Sequence, residues 1–308
     1  MARMDRREFV RRSLHVAAVS SAVGSVPLLD LLSLPAWGAE AGGVKLAVRK
    51  GKDIPLLVAE ALGALGGMGG FVKSGETVVV KPNIGWDRTV EQGANTHPLV
   101  VRAVIEHCLE AGAKEVRVFD RTCNDPRRCY VQSGIQEVVE GLKSERVRIE
   151  HMDRRAYRDL DIAHGKDLTR WSFYQPALDA DRFINLPVAK HHGISTLTLG
   201  MKNIMGVIGG NRGRLHQNIA ESLADINSVV HSTLTLVDAT RILVANGPQG
   251  GRLEDVRVLD TLIASADIVA ADAYAATLFG HRPEEIPTIV AGARRGLGSL
   301  DLSPGRMA

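Results

Sequence analysis

The sequence is poor in cysteine: its 308 residues include three, Cys108, Cys123 and Cys129, and no two of them form a Cys-x-x-Cys pair. Because the thiolate ligands of iron–sulfur clusters and structural zinc ions come in closely spaced sets, we expect neither an iron–sulfur cluster nor a thiolate zinc site. Cys108 lies in an apolar helical run, which indicates a buried side chain. Cys123 and Cys129 flank a short polar loop. In an oxidising compartment they are candidates for a disulfide, and two free thiols are the equal alternative.

Familiar nucleotide-binding and hydrolase motifs are also missing. The sequence has no P-loop, no His-Glu-x-x-His and no Gly-x-Ser-x-Gly elbow. The glycine-rich stretch 63–70 precedes a predicted strand instead of following one, so it is not a dinucleotide fingerprint. The 38 basic and 35 acidic side chains nearly balance, with a net charge of +3 and no block of like charges. This distribution argues against a nucleic-acid partner.

The start of the chain has the composition of an export signal. Arg6 and Arg7 are followed by Phe9 and Val10, then by a moderately apolar stretch over about residues 14–34 and by small residues. A charged start, an apolar middle and a small-residue end form the tripartite export signal. The arginine pair with its apolar neighbours resembles the twin-arginine (Tat) consensus.

We therefore expect residues 1–41 to be a Tat signal peptide, cleaved between Gly38 and Ala41. The Tat translocase would be a partner during export, and the mature protein would be periplasmic or otherwise extracytoplasmic. Pro27 and Asp30 interrupt the apolar stretch and argue against a stable transmembrane helix. Two alternatives remain open: an uncleaved signal that anchors the protein, and an ordinary basic amphipathic N-terminus.

The remainder of the chain alternates strand and helix patterns. Aromatic residues are scarce, at 4%, and the apolar residues are mostly Val, Leu, Ile and Ala, as expected for a sheet covered by helices. The predicted strands are Val44–Val48, Thr77–Val80, Glu115–Phe119, Val147–Glu150, Arg182–Leu186, Thr233–Val237 and Ile268–Ala270. The predicted helices are Ile54–Leu65, Pro98–Ala111, Val131–Leu142, Thr196–Met205, Gln217–Val229, Asp272–Phe279 and Pro287–Arg295.

This alternation predicts a single α/β domain over residues 42–308. Strands separated by helices of this length imply crossover units, so we expect a mainly parallel sheet flanked by helices. The layering would be Rossmann-like, without the dinucleotide fingerprint. The polar, irregular stretch 151–181 is predicted to be an insertion or a lid.

Polar side chains collect just after the predicted strands. In open α/β sheets ligands bind at the carboxyl ends of the strands, where loops and helix N-termini converge. A helix cap explains such a residue after one strand, but four strands ending this way indicate a site. The residues concerned are Lys81, Asn83, Asp120, Lys190, His191, His192 and Asp238.

A second group follows in the stretch 200–216. Lys202 and Asn203 precede a glycine-rich loop that contains Arg212 and Arg214. Glycines let backbone N–H groups approach a ligand, and arginines grip carboxylates or phosphates in a fork. His216 follows, directly before a predicted helix. The alternative is a flexible surface loop with solvated arginines.

These residue types predict roles at one site. Histidine titrates in the physiological range, so it can act as a general acid or base. Adjacent histidines point apart, so one of His191 and His192 should face the site. The predicted substrate-binding residues are Lys81, Asn83, Lys190, Asn203, Arg212 and Arg214. The predicted catalytic residues are His191, His216, Lys202 and Asp238, with Asp238 orienting a basic partner. A divalent metal held by His191, His216 and Asp225 is an alternative use of the same histidines.

Several short motifs resemble the family called domain of unknown function 362. They occur in the same order over about residues 44–300: Val80-Lys81-Pro82-Asn83, Thr96-His97-Pro98, Lys190-His191-His192, Gly200-Met201-Lys202-Asn203 with Gly206, and His216 with Asp225 and Asp238. The resemblance implies a shared fold and a shared site, without an established reaction. Some members carry an iron–sulfur ferredoxin module, for which this chain has no cysteine run.

Three functions are compatible with these features. We expect first an enzyme that acts on a small anionic substrate at the Lys/His-rich site. The second is a ligand-binding or maturation accessory protein for an exported redox complex, with a redox protein as its partner. The third is a cofactor-dependent oxidoreductase.

Overall fold

A computed structural model describes residues 46–308. The predicted signal over residues 1–41 lies outside these residues. The strands are β1 Leu46–Lys50, β2 Thr77–Pro82, β3 Glu115–Val118, β4 Val147–Ile149, β5 Tyr157–Asp161, β6 Arg170–Tyr174, β7 Arg182–Leu186, β8 Val188–His192, β9 Thr196–Thr198, β10 Leu234–Leu243 and β11 Val256–Ser265. The helices are α1 Ile54–Ala64, α2 Pro98–Glu110, α3 Pro126–Gln132, α4 Ile135–Glu140, α5 Gln175–Asp179, α6 Gly200–Asn203, α7 Ile219–Asn227, α8 Ile268–Thr277 and α9 Pro287–Arg294.

A nine-stranded sheet organises the molecule. Its main path runs β1-β11-β10-β7-β2-β3-β4, and β8 and β9 branch from β10. The five strands from β10 to β4 are parallel to their neighbours, whereas β11 and β1 run antiparallel at one edge. Pro187 separates β7 from β8, and β10 pairs in parallel with both of them. The sheet is thus mixed but mainly parallel.

Apolar side chains alternate between the two faces of the sheet and form one core on each. In β2, Val78 and Val80 face the core that contains α1 and α2, while Val79 faces the core that contains α7 and α8. All three valines are fully buried. The result is an α/β fold with helices on both faces, which confirms the predicted fold class.

Three elements differ from the sequence prediction. The predicted helix Thr196–Met205 is instead the short strand β9 followed by the single turn α6. Ile268–Ala270 is not a strand but the first turn of α8, because the Asp267 side chain accepts a hydrogen bond from the Ala270 amide and caps the helix. A short apolar run does not distinguish a strand from a buried helix. The predicted helix Val131–Leu142 is broken into α3 and α4 by Gly134, whose φ is +70°.

The ends of β10 and the strand β11 also differ. β10 continues five residues beyond Asp238, so that this residue lies within the strand and not after it. β11 was not predicted at all, although it pairs with both β1 and β10. Of the helices in residues 46–308, none combines the length and apolar character needed to cross a membrane.

Candidate functional site

A cavity of about 1180 Å³ opens at the carboxyl ends of β2, β3 and β8. Its walls also include α6, the loop 209–213 and part of the stretch 151–181. Cations outnumber anions among the described residues that line the cavity, where Asp120 is the one carboxylate. The cationic lining residues are Lys81, Arg121, Arg154, Lys190, Lys202 and Arg212. The cavity is therefore strongly electropositive.

Lys81 and Asp120 form a buried ion pair beneath the cavity. Lys81 Nζ lies 2.9 Å from Oδ1 of Asp120, and both side chains are almost inaccessible. Oδ2 of Asp120 accepts a hydrogen bond from the Ile84 amide at 2.6 Å. Burial lowers the pKa of Lys81, and the charge of Asp120 opposes that shift. The pair joins the ends of the parallel strands β2 and β3.

A chain of side-chain amides links Lys81 to Lys190. Oδ1 of Asn203 accepts hydrogen bonds from Lys81 Nζ at 2.8 Å and from Asn83 Nδ2 at 3.0 Å. Oδ1 of Asn83 in turn accepts one from Lys190 Nζ at 3.0 Å. Nδ2 of Asn203 donates to Oδ1 of Asn185 in β7 at 2.8 Å. This network fixes both lysines relative to the sheet.

Lys190 is buried without a carboxylate beside it. Its ammonium nitrogen donates to the Asn83 side chain and, at 2.5 Å, to the carbonyl of Ala94. Among residues 46–308, none places a carboxylate within 4.0 Å of Lys190 Nζ. Burial lowers the pKa of Lys190 to about 7. The site thus contains a lysine whose proton is exchangeable near neutral pH.

Lys202 and His216 also line the cavity and contact each other. Lys202 Nζ lies 3.1 Å from Nε2 of His216 and 3.4 Å from the sulfur of Met205. Nδ1 of His216 lies 3.3 Å from the carbonyl of Gly213, so a proton on Nδ1 leaves Nε2 to accept from the lysine. Burial lowers the pKa of Lys202 to about 8, and burial followed by the charge of Lys202 lowers that of His216.

His192, not His191, faces this cavity. The His192 ring stacks on that of His216 with centroids 5.4 Å apart. Its Nδ1 accepts hydrogen bonds from the amides of Ile194 and Ser195, at 3.1 and 3.3 Å. Burial and the nearby Lys202 lower its pKa to about 3, so His192 is neutral and carries its proton on Nε2.

The short helix α6 is positioned by a buried carboxylate. Asp272 of α8 accepts hydrogen bonds from the amides of Gly200 and Met201, at 2.6 and 2.9 Å. A β-carbon at Gly200 would lie 2.7 Å from the Asp272 carboxylate, so this approach requires glycine. Burial raises the pKa of Asp272 to about 7, and the two amides oppose that shift. The cap directs Lys202 and Asn203 towards the strand ends.

Arg121 and Arg212 clasp two loops of the cavity to each other. Arg212 donates to the carbonyls of Arg121 and Thr122, at 2.7 and 2.8 Å. Arg121 donates to the carbonyls of Ile208 and Gly210, at 2.8 and 3.1 Å. Each guanidinium thus holds the backbone of the loop that carries the other. Arg212, predicted to bind substrate, has its donors partly engaged by this clasp.

The β5–β6 hairpin of the stretch 151–181 packs against the same glycine-rich loop. The Gly209 amide donates to the carbonyl of Ser172 at 2.7 Å, and Trp171 Nε1 donates to the Gly209 carbonyl at 3.3 Å. A β-carbon at Gly209 would lie 2.8 Å from the Ser172 hydroxyl. The hairpin therefore forms one wall of the cavity.

Four residues predicted for the site do not line the cavity. His191 points away, and its Nδ1 accepts a hydrogen bond from the Gly247 amide at 3.2 Å. Arg214 is exposed to solvent outside the cavity. The carboxylate of Asp238 accepts from the His97 amide and from the amide and hydroxyl of Thr240. Asp238 is therefore buried outside the cavity, with its carboxylate engaged by backbone amides and the Thr240 hydroxyl.

The fourth is Asp225, and with it the predicted metal set is not assembled. Its carboxylate accepts from the amides of residues 166–168 and pairs with Arg295 at 2.6 Å. Because His191 and Asp225 are both engaged elsewhere, His216 has neither predicted co-ligand beside it. Within residues 46–308, no three His, Cys, Asp or Glu side chains are grouped so as to hold a metal ion.

The predicted pair Cys123–Cys129 is unbonded in this structure. Cys129, in the first turn of α3, is buried with its sulfur 3.8 Å from the Gly85 carbonyl. Cys123 is exposed and its sulfur lies 3.7 Å from Arg212 Nη2. The two sulfur atoms therefore contact different groups. Cys108 is buried, and its burial raises the pKa of that thiol to about 12.

Sequence reasoning missed some of the residues that form the site. Arg121 directly follows Asp120 at the end of β3, so the strand-end rule would have included it. Arg154 lies in the stretch that was predicted only as an insertion or lid. Thr198 lines the cavity with a buried hydroxyl that has no hydrogen-bond partner in residues 46–308. Nothing in the local sequence singles it out.

Comparisons with known proteins give the family. Residues 78–277 match the model of the domain of unknown function 362 (DUF362). A thylakoid-associated protein of Synechocystis is 31% identical over 241 residues, which is 76% of this chain and 72% of that protein.

Two solved structures are similar in part. A structural-genomics protein of Thermotoga maritima gives a TM-score of 0.42 at 13% identity, over 76% of this chain and 61% of that one. The lactate racemase apoprotein of Thermoanaerobacterium thermosaccharolyticum gives 0.46 at 9% identity, over 76% of this chain and 56% of the other. The chain thus spans about three fifths of the length of these structures. The family match and the cyanobacterial relative together show that this chain belongs to the DUF362 family.

Proposed function

We propose that this protein is an enzyme that binds a small anionic substrate in the cavity. The observation that carries the proposal is the pair Lys190 and Lys202, which line the cavity and have neutral side-chain or backbone partners. A charge removed from water needs a compensating charge or it loses its proton. A bound carboxylate or phosphate would supply that countercharge to both lysines.

Proton transfer is the chemistry that the same residues support. Lys202, with its pKa lowered to about 8, exchanges a proton close to physiological pH. Nε2 of His216 accepts from Lys202, and the Nδ1–H bond to the Gly213 carbonyl holds the ring in the tautomer that can take up this proton. His192 offers a neutral Nε2–H donor for an oxygen of the substrate. Lys202 is the proposed acid–base group, and His192 and His216 are its neighbours.

A thermal-shift titration with small anions tests the proposal. Acetate, oxalate, citrate, phosphate and sulfate are added to the full chain and to the Lys202→Ala and Arg214→Ala variants. Arg214 is the matched control because it is a cation close to Lys202 in the sequence but outside the cavity. We expect at least one anion to stabilise the unmodified protein and the Arg214 variant, and to stabilise the Lys202 variant less. Equal shifts in all three proteins, or no shift in any, would count against it.

A second candidate is a binding or maturation accessory protein. The name of the Synechocystis relative, a thylakoid-associated protein, supports it, because association with a membrane system suggests a protein partner. In that case a pull-down from native cells would recover a stable partner, and anion binding would occur without turnover. Turnover of a small anion by the isolated protein would favour the enzyme.

We further propose that the protein acts outside the cytoplasm after Tat export. The support is the Arg6-Arg7 pair and the composition of residues 1–41. Fusion of these residues to a reporter tests it: the reporter should be exported, and Arg6→Lys with Arg7→Lys should abolish export. Export that survives both substitutions would contradict the Tat route.

A further inference from the structure

We propose that Lys190 forms an imine with the carbonyl carbon of a small oxo acid bound in the cavity. This inference rests on the proposed function: the other cations of the cavity would hold the carboxylate of that acid, and its charge would compensate that of the iminium ion formed at Lys190. It adds a substrate class, a 2-oxo acid or a related carbonyl-bearing acid, and a covalent step at one named nitrogen.

The hydrogen bonds of Lys190 fit an amine better than an ammonium group. Nζ has two neutral acceptors, Oδ1 of Asn83 at 3.0 Å and the Ala94 carbonyl at 2.5 Å. A neutral primary amine has two N–H bonds, and these two acceptors satisfy both. The remaining tetrahedral position on Nζ is then the nitrogen lone pair. Because Lys190 lines the cavity, a carbonyl carbon placed there can meet that lone pair.

The other two lysines of the cavity are in different environments. Lys81 has the Asp120 carboxylate at 2.9 Å, and the charge of that carboxylate opposes the lowering of the Lys81 pKa by burial. Lys202 has the ring nitrogen of His216 and the sulfur of Met205. Lys190 is therefore the one lysine of these three whose hydrogen-bond partners include neither a carboxylate nor a titratable side chain. Of the two lysines without a carboxylate beside them, Lys190 and Lys202, Lys190 is the more buried, with 1% of its surface exposed.

Burial, and not the charge of its neighbours, makes the Lys190 side chain available as an amine. Burial is the main cause that lowers its pKa to about 7, and the charges of Lys202 and Lys81 add to that effect. Asp120 and Cys123 oppose it. Near neutral pH a substantial fraction of the side chain is the free amine, which is the nucleophilic form.

The imine forms by attack of the Lys190 amine on the carbonyl carbon and loss of one water molecule. The Nζ lone pair forms a C–N bond to the carbonyl carbon, and the carbonyl π electrons move to its oxygen, which takes up a proton. The nitrogen loses a proton, and the hydroxyl leaves as water when it is protonated again, with Lys202 as the proposed acid. The product is an iminium ion between Lys190 and the acid, with one water released and no change in oxidation state.

Borohydride trapping tests this step. The full chain is incubated near neutral pH with pyruvate or with glyoxylate, treated with sodium borohydride, and digested for peptide mass spectrometry. Hydride converts the iminium ion into a secondary amine, so the modified peptide gains the mass of the oxo acid less one oxygen atom. The exposed residues Lys52 and Lys73 of the same sample are internal controls for non-specific modification.

We expect modification at Lys190 to exceed that at Lys52 and Lys73 by at least about tenfold, because an amine and not an ammonium group attacks a carbonyl. Lys190→Arg keeps the charge and should abolish trapping in the cavity while retaining part of the thermal stabilisation by oxalate. If that variant does not fold, the positions of the modified lysines in the protein without substitutions test the inference by themselves. Trapping spread evenly over lysines, or centred on Lys202, overturns the inference even if anions stabilise the protein. An absence of anion stabilisation overturns the proposed function as well.

Discussion

The ammonium group of Lys81 lies 2.9 Å from Oδ1 of Asp120, and both side chains are buried at the ends of neighbouring parallel strands. Removal of one partner leaves the other charge buried and uncompensated. We predict that Asp120→Asn lowers the free energy of unfolding by about 3–5 kcal/mol. Urea unfolding of the variant measures this change.

The double variant Lys81→Met with Asp120→Asn separates the ion pair from the other contacts of Asp120. Because it removes both charges, its loss of stability should be smaller than the sum of the two single losses. Simple additivity of the two single effects would show that the two charges are not energetically coupled.

Gly206 packs directly against this ion pair. A β-carbon there would overlap the carboxylate of Asp120 and the ammonium group of Lys81. We predict that Gly206→Ala is destabilising by several kcal/mol, on the order of a broken buried pair. Gly63→Ala is the matched control, since its β-carbon meets nothing within 4 Å and lies in helix α1. Its effect should be neutral or stabilising by up to about 1 kcal/mol. A Gly206→Ala protein with an unchanged melting temperature would refute the packing described for this site.

The clasp between Arg121 and Arg212 predicts that a substitution at Arg212 lowers the stability of the protein and loosens the loop 206–216. Arg212→Lys loses the fork that reaches the carbonyls of Arg121 and Thr122. We expect a loss of about 2 kcal/mol, as for hydrogen bonds made by charged groups. Faster amide hydrogen exchange in the loop 206–216 should accompany it. Arg214→Lys, in the same loop but outside the cavity, should leave both quantities unchanged.

Lys190 predicts a pH dependence of stability. Its folded-state pKa is about 7, below the value of an unfolded lysine, so the unfolded chain binds more protons between pH 7 and about 10. This residue therefore makes the free energy of unfolding rise with pH across that window. Lys190→Met should flatten the rise relative to the unmodified protein. Parallel pH profiles of the two proteins would contradict the lowered pKa.

Part of this site could be predicted from the sequence because parallel strands end at a common edge. Lys81, Asn83 and Asp120 lie at or just after the ends of β2 and β3, Lys190 lies in β8 beyond the end of β7, and the structure brings all four together. Asp238 was misplaced because β10 continues beyond it, which depends on pairing with β8 and β11. Local residue pattern does not contain that tertiary information.

The other errors have similar causes. The choice between His191 and His192 depends on the pleat of β8, since successive side chains point to opposite faces. Asp225 lies on α7 as predicted, but the amides of residues 166–168 reach it from a distant stretch of chain. Such long-range backbone contacts leave no mark in the neighbouring sequence. The fold class, in contrast, follows from the alternation of apolar runs, which is a local property.

Proton uptake on anion binding tests most directly whether an anion supplies the countercharge that Lys190 and Lys202 lack. Their pKa values of about 7 and about 8 leave both partly deprotonated near pH 8, and a bound anion should raise them. Sulfate, oxalate and citrate are fully ionised there and release no proton of their own. Calorimetric titrations in two buffers of different ionisation enthalpy should show net proton uptake, reduced in Lys190→Met and Lys202→Met and unchanged in Arg214→Met. Binding without proton uptake, or no binding of any of the three anions, would contradict the account.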